Sequence, residues 1–248
     1  EYQLPRARYP VNFADWPNFK ETHRFTAALE RRAAALPGVD AVAVAGNHPL
    51  DPGFTNSFTI LGREAESAGF PEICVRRVTP GYFGTVGLAL LQGRLLEERD
   101  GTGAPPVLVI NQAAARRFFP ASSPIAAKIQ FWGAARTIVG VVADERVHGL
   151  AAPAPIAVYT PLAQTPSVNG AGVLLVRTAG DPLALAPAIR RLFRELDPEL
   201  AVFGIELLDR TLSRSLSARR FLTVLLALFA AVALALAAIG IDGVLAYA

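Results

Sequence analysis

The side chains able to do chemistry are few and scattered. Histidines stand at His23, His48 and His148, with no H-x-x-x-H pairing that would set two imidazoles on one helix face for a metal ion. Cys74 is the single cysteine, so no intrachain disulfide can form. Set between Ile73 and Val75 in a strand-like run, it reads as a buried structural thiol rather than a nucleophile. Neither a G-x-S-x-G elbow nor a G-x-x-x-x-G-K-[ST] phosphate loop occurs. Asp144, Glu145 and His148 are the one local group with acid–base potential. Because they lie at a strand end before Gly149-Leu150, they read as turn chemistry and solvated charge. The sequence therefore nominates no catalytic, cofactor-binding or metal-binding residue, and the expectation is a protein that is not an enzyme and carries no cofactor.

Composition narrows the classes further. Net charge is +3 from 24 basic and 21 acidic side chains. No basic run stands out, so no nucleic-acid surface is indicated. Apolar residues make up 52% of the chain, and mean hydropathy is +0.35, high for a soluble domain. Most of that excess sits in 221–241, FLTVLLALFAAVALALAAIGI, which has no charge and follows every Lys and Arg. At about 1.5 Å per residue such a helix covers the ~30 Å hydrocarbon core of a bilayer. Ala227, Ala231, Ala235 and Ala238 share one face of it; they form either a small-residue packing stripe or a chance repeat in an alanine-rich span. Arg219 and Arg220 precede the span, and Asp242 follows it. With no Met and a start at Glu1, the sequence reads as a piece of a longer protein.

The remaining chain supplies alternating helices and strands. Phe25, Ala28, Leu29, Ala33 and Leu36 recur at helical spacing within 15–36, and Pro37-Gly38 ends that helix. Strands are expected over 39–45, 57–62, 73–78, 107–110, 137–142, 157–160, 173–177 and 201–206, with 47–56 as an exposed loop. Thr79-Pro80 has the form of a helix cap, and Gly87 that of a left-handed stop. Asn111 and Asp181 also read as caps. The helix after Asp181-Pro182 would carry Leu183, Ala186, Ile189, Phe193 and Leu196 on its apolar face. Helix–strand near the start is echoed by strand–helix–strand near the end, with a strand-rich stretch between. That order suggests an α+β unit split by a more β-rich lobe.

The motifs along this framework look familiar as a set. Val78-Thr79-Pro80-Gly81-Tyr82-Phe83, Gly87-Leu88, Leu91-Gln92-Gly93-Arg94, Val109-Ile110-Asn111, Arg117-Phe118-Phe119-Pro120, Pro124-Ile125 and Lys128-Ile129 come in order. Ile138-Val139-Gly140-Val141-Val142-Ala143-Asp144, His148-Gly149-Leu150 and Val158-Tyr159-Thr160-Pro161-Leu162 follow. Together with Leu36-Pro37-Gly38-Val39 and the run from Ala218 to Ile241, they resemble the MacB-like periplasmic core domain. This domain occurs in the FtsX-like and macrolide-exporter superfamily of ABC transporter permeases, and within it the chain resembles the orphan, duplicated permeases of acidobacteria. It departs from the pattern at Ala126, where Gly is common, and at Asp242, where an aromatic residue is usual.

The resemblance implies a two-lobed α+β domain outside the cytoplasm over residues 1–215. A porter-like lobe would take about 1–100 and 170–207, and a β-rich lobe about 101–169. A connecting and transmembrane helix would take 208–248, with the span at about 221–241. It further implies a bacterial inner-membrane permease that works with an ATPase domain or subunit, with other transmembrane helices of the same permease, with the lipid bilayer and with a second permease copy, and with no nucleic acid. The domain would couple ATP-driven helix motion to export or to a periplasmic event. A membrane-anchored extracytoplasmic binding or sensor module is the alternative class. The uninterrupted run of Leu208, Leu212 and Leu216 further predicts one stiff helix from about Leu208 into the bilayer.

Overall fold

The computed structural model describes residues 1–51, 53–145, 154–166, 169–208 and 229–230. The span predicted at 221–241 and the helix expected to lead into it from Leu208 lie almost wholly outside the described residues. Among the described residues, no helix is long and apolar enough to cross a membrane.

After β1 (Tyr2–Gln3), helix α1 (Lys20–Ala34) forms where the sequence places it. Phe25, Leu29 and Ala33 recur every four residues and are buried, while its charged residues lie between them. Gly38, at φ +82°, then turns the chain into β2 (Val39–Ala45). Next come β3 (Phe54–Asn56), β4 (Thr59–Ile60), the short α2 (Glu64–Ser67), β5 (Ile73–Val78), α3 (Tyr82–Val86) and β6 (Leu90–Gly93). The central stretch continues with β7 (Val107–Asn111), α4 (Gln112–Phe118), β8 (Lys128–Phe131), β9 (Ala134–Val142) and β10 (Ala157–Pro161). It closes with β11 (Ala171–Thr178), a 3₁₀ turn Pro182–Leu185, α5 (Ala186–Leu196) and β12 (Ala201–Val202).

Several expectations need correction. The 57–62 strand shrinks to β4, the 201–206 strand shrinks to β12, and part of the expected loop 47–56 is β3, which pairs with β5. Leu183 is exposed, and Leu192 takes its place in the buried face with Ile189 and Phe193. Thr79 does not cap α3, whose N-cap is Gly81 without a side-chain bond. Its hydroxyl instead accepts the Val44 N–H at 2.9 Å and donates to Glu30 Oε1. Asn111 and Asp181 do cap, accepting from Ala114 N and Leu183 N at 3.0 Å each. Gly87 takes the left-handed stop at φ +79°.

The strands pair in the order β12-β1-β11-β2-β5-β10-β7-β9-β8-β4, with β3 beside β5 and β6 beside β9. Only β5–β10 and β7–β9 run parallel among these pairs. The run from β3 through β5, β10, β7, β9 and β8 to β4 begins and ends within residues 54–60, so this part of the sheet curls back on itself. It wraps a core of Phe58, Ile73, Leu108, Ile110, Phe118 and Ile138. A separate core joins Tyr2, Phe25, Leu29, Val44, Ile189 and Phe193 across α1, β2 and α5. Glu1–Ile205 form one compact unit.

Candidate functional site

The residues singled out for chemistry go to different places. His23 Nε2 lies 2.9 Å from Pro17 O, at the start of α1. His48 sits in the loop after β2, and its carbonyl accepts from Asp51 N at 2.9 Å. His148 is outside the described residues. Cys74 is a free, buried thiol in β5. Burial raises its pKa, against the lowering effect of the Arg76 charge, so the thiolate is disfavoured.

Asp144 and Glu145 separate immediately beyond β9. Asp144 turns to the start of α4, accepting Ala113 N at 2.7 Å and Arg116 Nη2 at 2.6 Å. A carboxylate there complements the orphan N–H groups and positive end of the helix. Glu145 turns inward, and the reading of it as solvated charge is wrong. Its side chain is 11% exposed and lies 2.8 Å from Nε of Arg76, itself only 2% exposed. That ion contact is too bent to count as a hydrogen bond along the Nε–H direction. Tyr82 of α3 donates to Glu145 Oε1 at 2.6 Å, and Tyr159 of β10 to Oε2 at 3.4 Å. The remaining Arg76 donors reach Pro49 O at 2.8 Å and His48 O at 3.3 Å.

The electrostatics follow from this closure. Burial raises the Glu145 pKa, while Arg76 and the two phenols pull it down. Burial and the adjacent carboxylate both hold the Tyr82 and Tyr159 hydroxyls protonated, far above their usual range. The cluster thus sets the Arg76 guanidinium and the Glu145 carboxyl among two neutral phenol donors. Phe83 and Tyr159 pack edge to face beside it, their ring centroids 5.3 Å apart. Sequence reading missed the cluster because Arg76 and Glu145 are far apart along the chain and each resembles a strand-edge charge. The available signal was Arg76-Arg77 ending a strand otherwise made of Ile73, Cys74, Val75 and Val78, where alternation must turn one arginine inward.

The signature glycines serve close approach. A Cβ on Gly140 would stand 2.0 Å from Arg94 O, and one on Gly93 would stand 2.2 Å from Val139 O. β6 and β9 can meet only because neither side carries a side chain there. Arg94 then closes the next turn with two bonds to Asp100, at 2.7 and 2.8 Å. Ala126 takes φ +70°. An open depression of about 600 Å³ lies elsewhere, lined by Ser57, Phe58, Thr59, Glu64, Ser67 and Gln130 among others. Its carboxylate, Glu64, is occupied by the Gly62 N–H at 2.8 Å. Among the described residues, no group of His, Cys, Asp and Glu is placed to hold a metal ion.

The family model for the MacB-like periplasmic core domain matches residues 6–192. The fold is similar to the periplasmic region of MacB from Actinobacillus actinomycetemcomitans, with TM-score 0.56 and 16% identity over 77% of this chain and 82% of that one. It is also similar to the extracellular domain of the noncanonic ABC-type transporter YknZ from Gram-positive bacteria. That likeness has TM-score 0.51 and 15% identity over 82% of this chain and 97% of the other. A search of curated protein sequences finds no match.

Proposed function

This chain belongs to the MacB-like periplasmic core domain family, and on that premise we propose that it is the extracytoplasmic part of an ABC transporter permease, running into one transmembrane helix. Its task is to couple ATP-driven helix motion to export or to another event outside the cytoplasm, without chemistry of its own. The observation that carries this reading is where two of the family motifs meet, at Tyr82 and Tyr159. Tyr82, Glu145 and Tyr159 meet Arg76 in a closed, mutually neutralised cluster rather than around an open cleft. Such a network fixes shape and leaves no free base or nucleophile for a substrate.

In this reading residues 1 to about 215 lie outside the bacterial inner membrane, and the uncharged stretch 221–241 crosses it. A porter-like lobe takes about 1–100 and 170–207, and a β-rich lobe about 101–169. The two lobes share a core, in which Phe58 and Ile73 of the first pack with Leu108 and Ile138 of the second, and β5 pairs with β10 across the boundary. The partners are an ATPase domain or subunit, the other transmembrane helices of the permease, a second permease copy and the bilayer. The segment from Leu208 to the span, free of proline and glycine, acts as a stiff lever.

The test uses Ala27→Cys, on the exposed side of α1, against the low background of the buried Cys74. In spheroplasts carrying the full permease, a membrane-impermeant maleimide should modify Cys at 27 without lysis. A requirement for lysis would place the domain in the cytoplasm and end the proposal. A fluorophore at the same position should respond when the reconstituted ATPase turns over. Ser215→Pro should abolish that response while membrane insertion and basal ATP hydrolysis persist, because an interior proline kinks a helix. A full response in Ser215→Pro would eliminate the lever.

A further inference from the structure

A buried arginine is a liability unless its charge is answered. Arg76 rises from β5 into the interior, and the three groups within its reach come from two separate places. Pro49 O and His48 O belong to the loop after β2, and Glu145 belongs to the exit of β9. Carbonyl dipoles solvate a cation, but they do not neutralise it. Removing one partner of a buried ion pair costs far more than the pair contributes, because the remaining charge must regain water or move. Glu145 is the carboxylate that answers Arg76 among the described residues.

We propose that the Arg76–Glu145 pair is a latch that makes the order of the loop at residues 48–51 conditional on the position of the β9 exit. When Glu145 is withdrawn, Arg76 turns toward water and takes its bonds to His48 O and Pro49 O with it. Several of the loop's own bonds are short-range. Leu50 N donates to His48 Nδ1 at 3.1 Å, Asp51 N to His48 O at 2.9 Å, and Asn47 Nδ2 to Asp51 O at 2.8 Å. They shape the turn, whereas Arg76 fastens it to the sheet. Tyr82 and Tyr159 hold the carboxylate in line, so α3 and β10 share the latch.

Asp144 provides the control, because it is adjacent in sequence yet bonded to α4 instead. The latch is a property of the folded domain and does not depend on the transport reading.

Hydrogen exchange on the whole chain in detergent, at fixed pH, tests it. Glu145→Gln keeps the shape and an acceptor but removes the charge. It should speed exchange of the Leu50 and Asp51 amides by about tenfold or more, as expected when a local opening loses a buried ionic tie. Asp144→Asn should instead speed exchange at Ala113 and Ala114 and leave the loop as it was. Unchanged loop protection in Glu145→Gln, or equal loss of it in Asp144→Asn, would overturn the latch. Should Glu145→Gln fail to fold, Tyr82→Phe removes only the 2.6 Å bond. It should give an increase of roughly threefold in the same two amides, and no increase there would also refute the proposal.

Discussion

Glu30 offers the sharpest quantitative test of the packing. Its carboxyl lies partly buried between α1 and the sheet, where it accepts the Thr79 hydroxyl. Burial, the largest influence, raises its pKa from 4.5 to about 7; the Thr79 bond opposes this, the Glu98 charge adds to it and the Val44 backbone opposes it. The folded protein therefore holds a proton that the unfolded chain releases at about 4.5. Stability from this group is complete below that value and is lost as pH rises through about 7. A shift of that size corresponds to about 3 kcal/mol at ~1.36 kcal/mol per unit, and residual solvent access trims it to about 2. Glu30→Gln keeps an acceptor for Thr79 and abolishes the ionisation. At pH 8.5 the variant should be more stable than wild type by about 2 kcal/mol, raising Tm by roughly 4–8 °C for a domain of this size. At pH 4.5 the two should nearly coincide. Thermal unfolding of both proteins at the two pH values gives the answer, since titrating groups not coupled to Glu30 cancel in the difference. An advantage that is absent at pH 8.5, or equal at both pH values, would refute the buried-carboxylate reasoning.

Two backbone substitutions follow from the same structure. Gly140→Ala would drive a Cβ to 2.0 Å from Arg94 O, so β6 and β9 must separate; a loss of about 3 kcal/mol or more, or roughly 6–12 °C in Tm, is expected, and a loss below about 1 kcal/mol would contradict the close approach. Ala126→Gly acts in the opposite direction, because Ala126 sits at φ +70° where a Cβ costs about 1 kcal/mol; Tm should rise by roughly 2–4 °C, and a fall would show that the alanine is not strained.

Much of the fold was legible because local chemistry decided it. The four-residue spacing of Phe25, Leu29 and Ala33 fixed α1, Asn111 announced its own cap, and Gly87 its own stop. What escaped depended on distant partners. β3, β6 and β8 are short strands with exposed residues, and each exists because another strand offers it a ladder. Thr79 has the local form of a cap, yet the Val44 N–H and Glu30 compete for its hydroxyl and win. Glu145 follows Asp144 and looks solvated, and only the tertiary placement of Arg76 draws it inside. Motif resemblance located the cluster's tyrosine on α3 without revealing what its hydroxyl holds.

The pairing of β1 with β12 bears on how this unit can be loaded. Tyr2 faces Val202 and Gln3 faces Ala201, while Phe203 N donates to Glu1 O at 2.9 Å. Entry and exit are thus hydrogen-bonded neighbours, running in opposite directions and leaving the sheet at the same end. Segments attached there that move together carry the whole unit as cargo, with no load on its interior. If they diverge, the load falls on this short ladder one bond at a time, as on a zipper pulled from its open end, rather than across all its bonds at once. The two outermost strands would then part first and spare the curled sheet behind them, which makes the root of the domain its mechanical fuse.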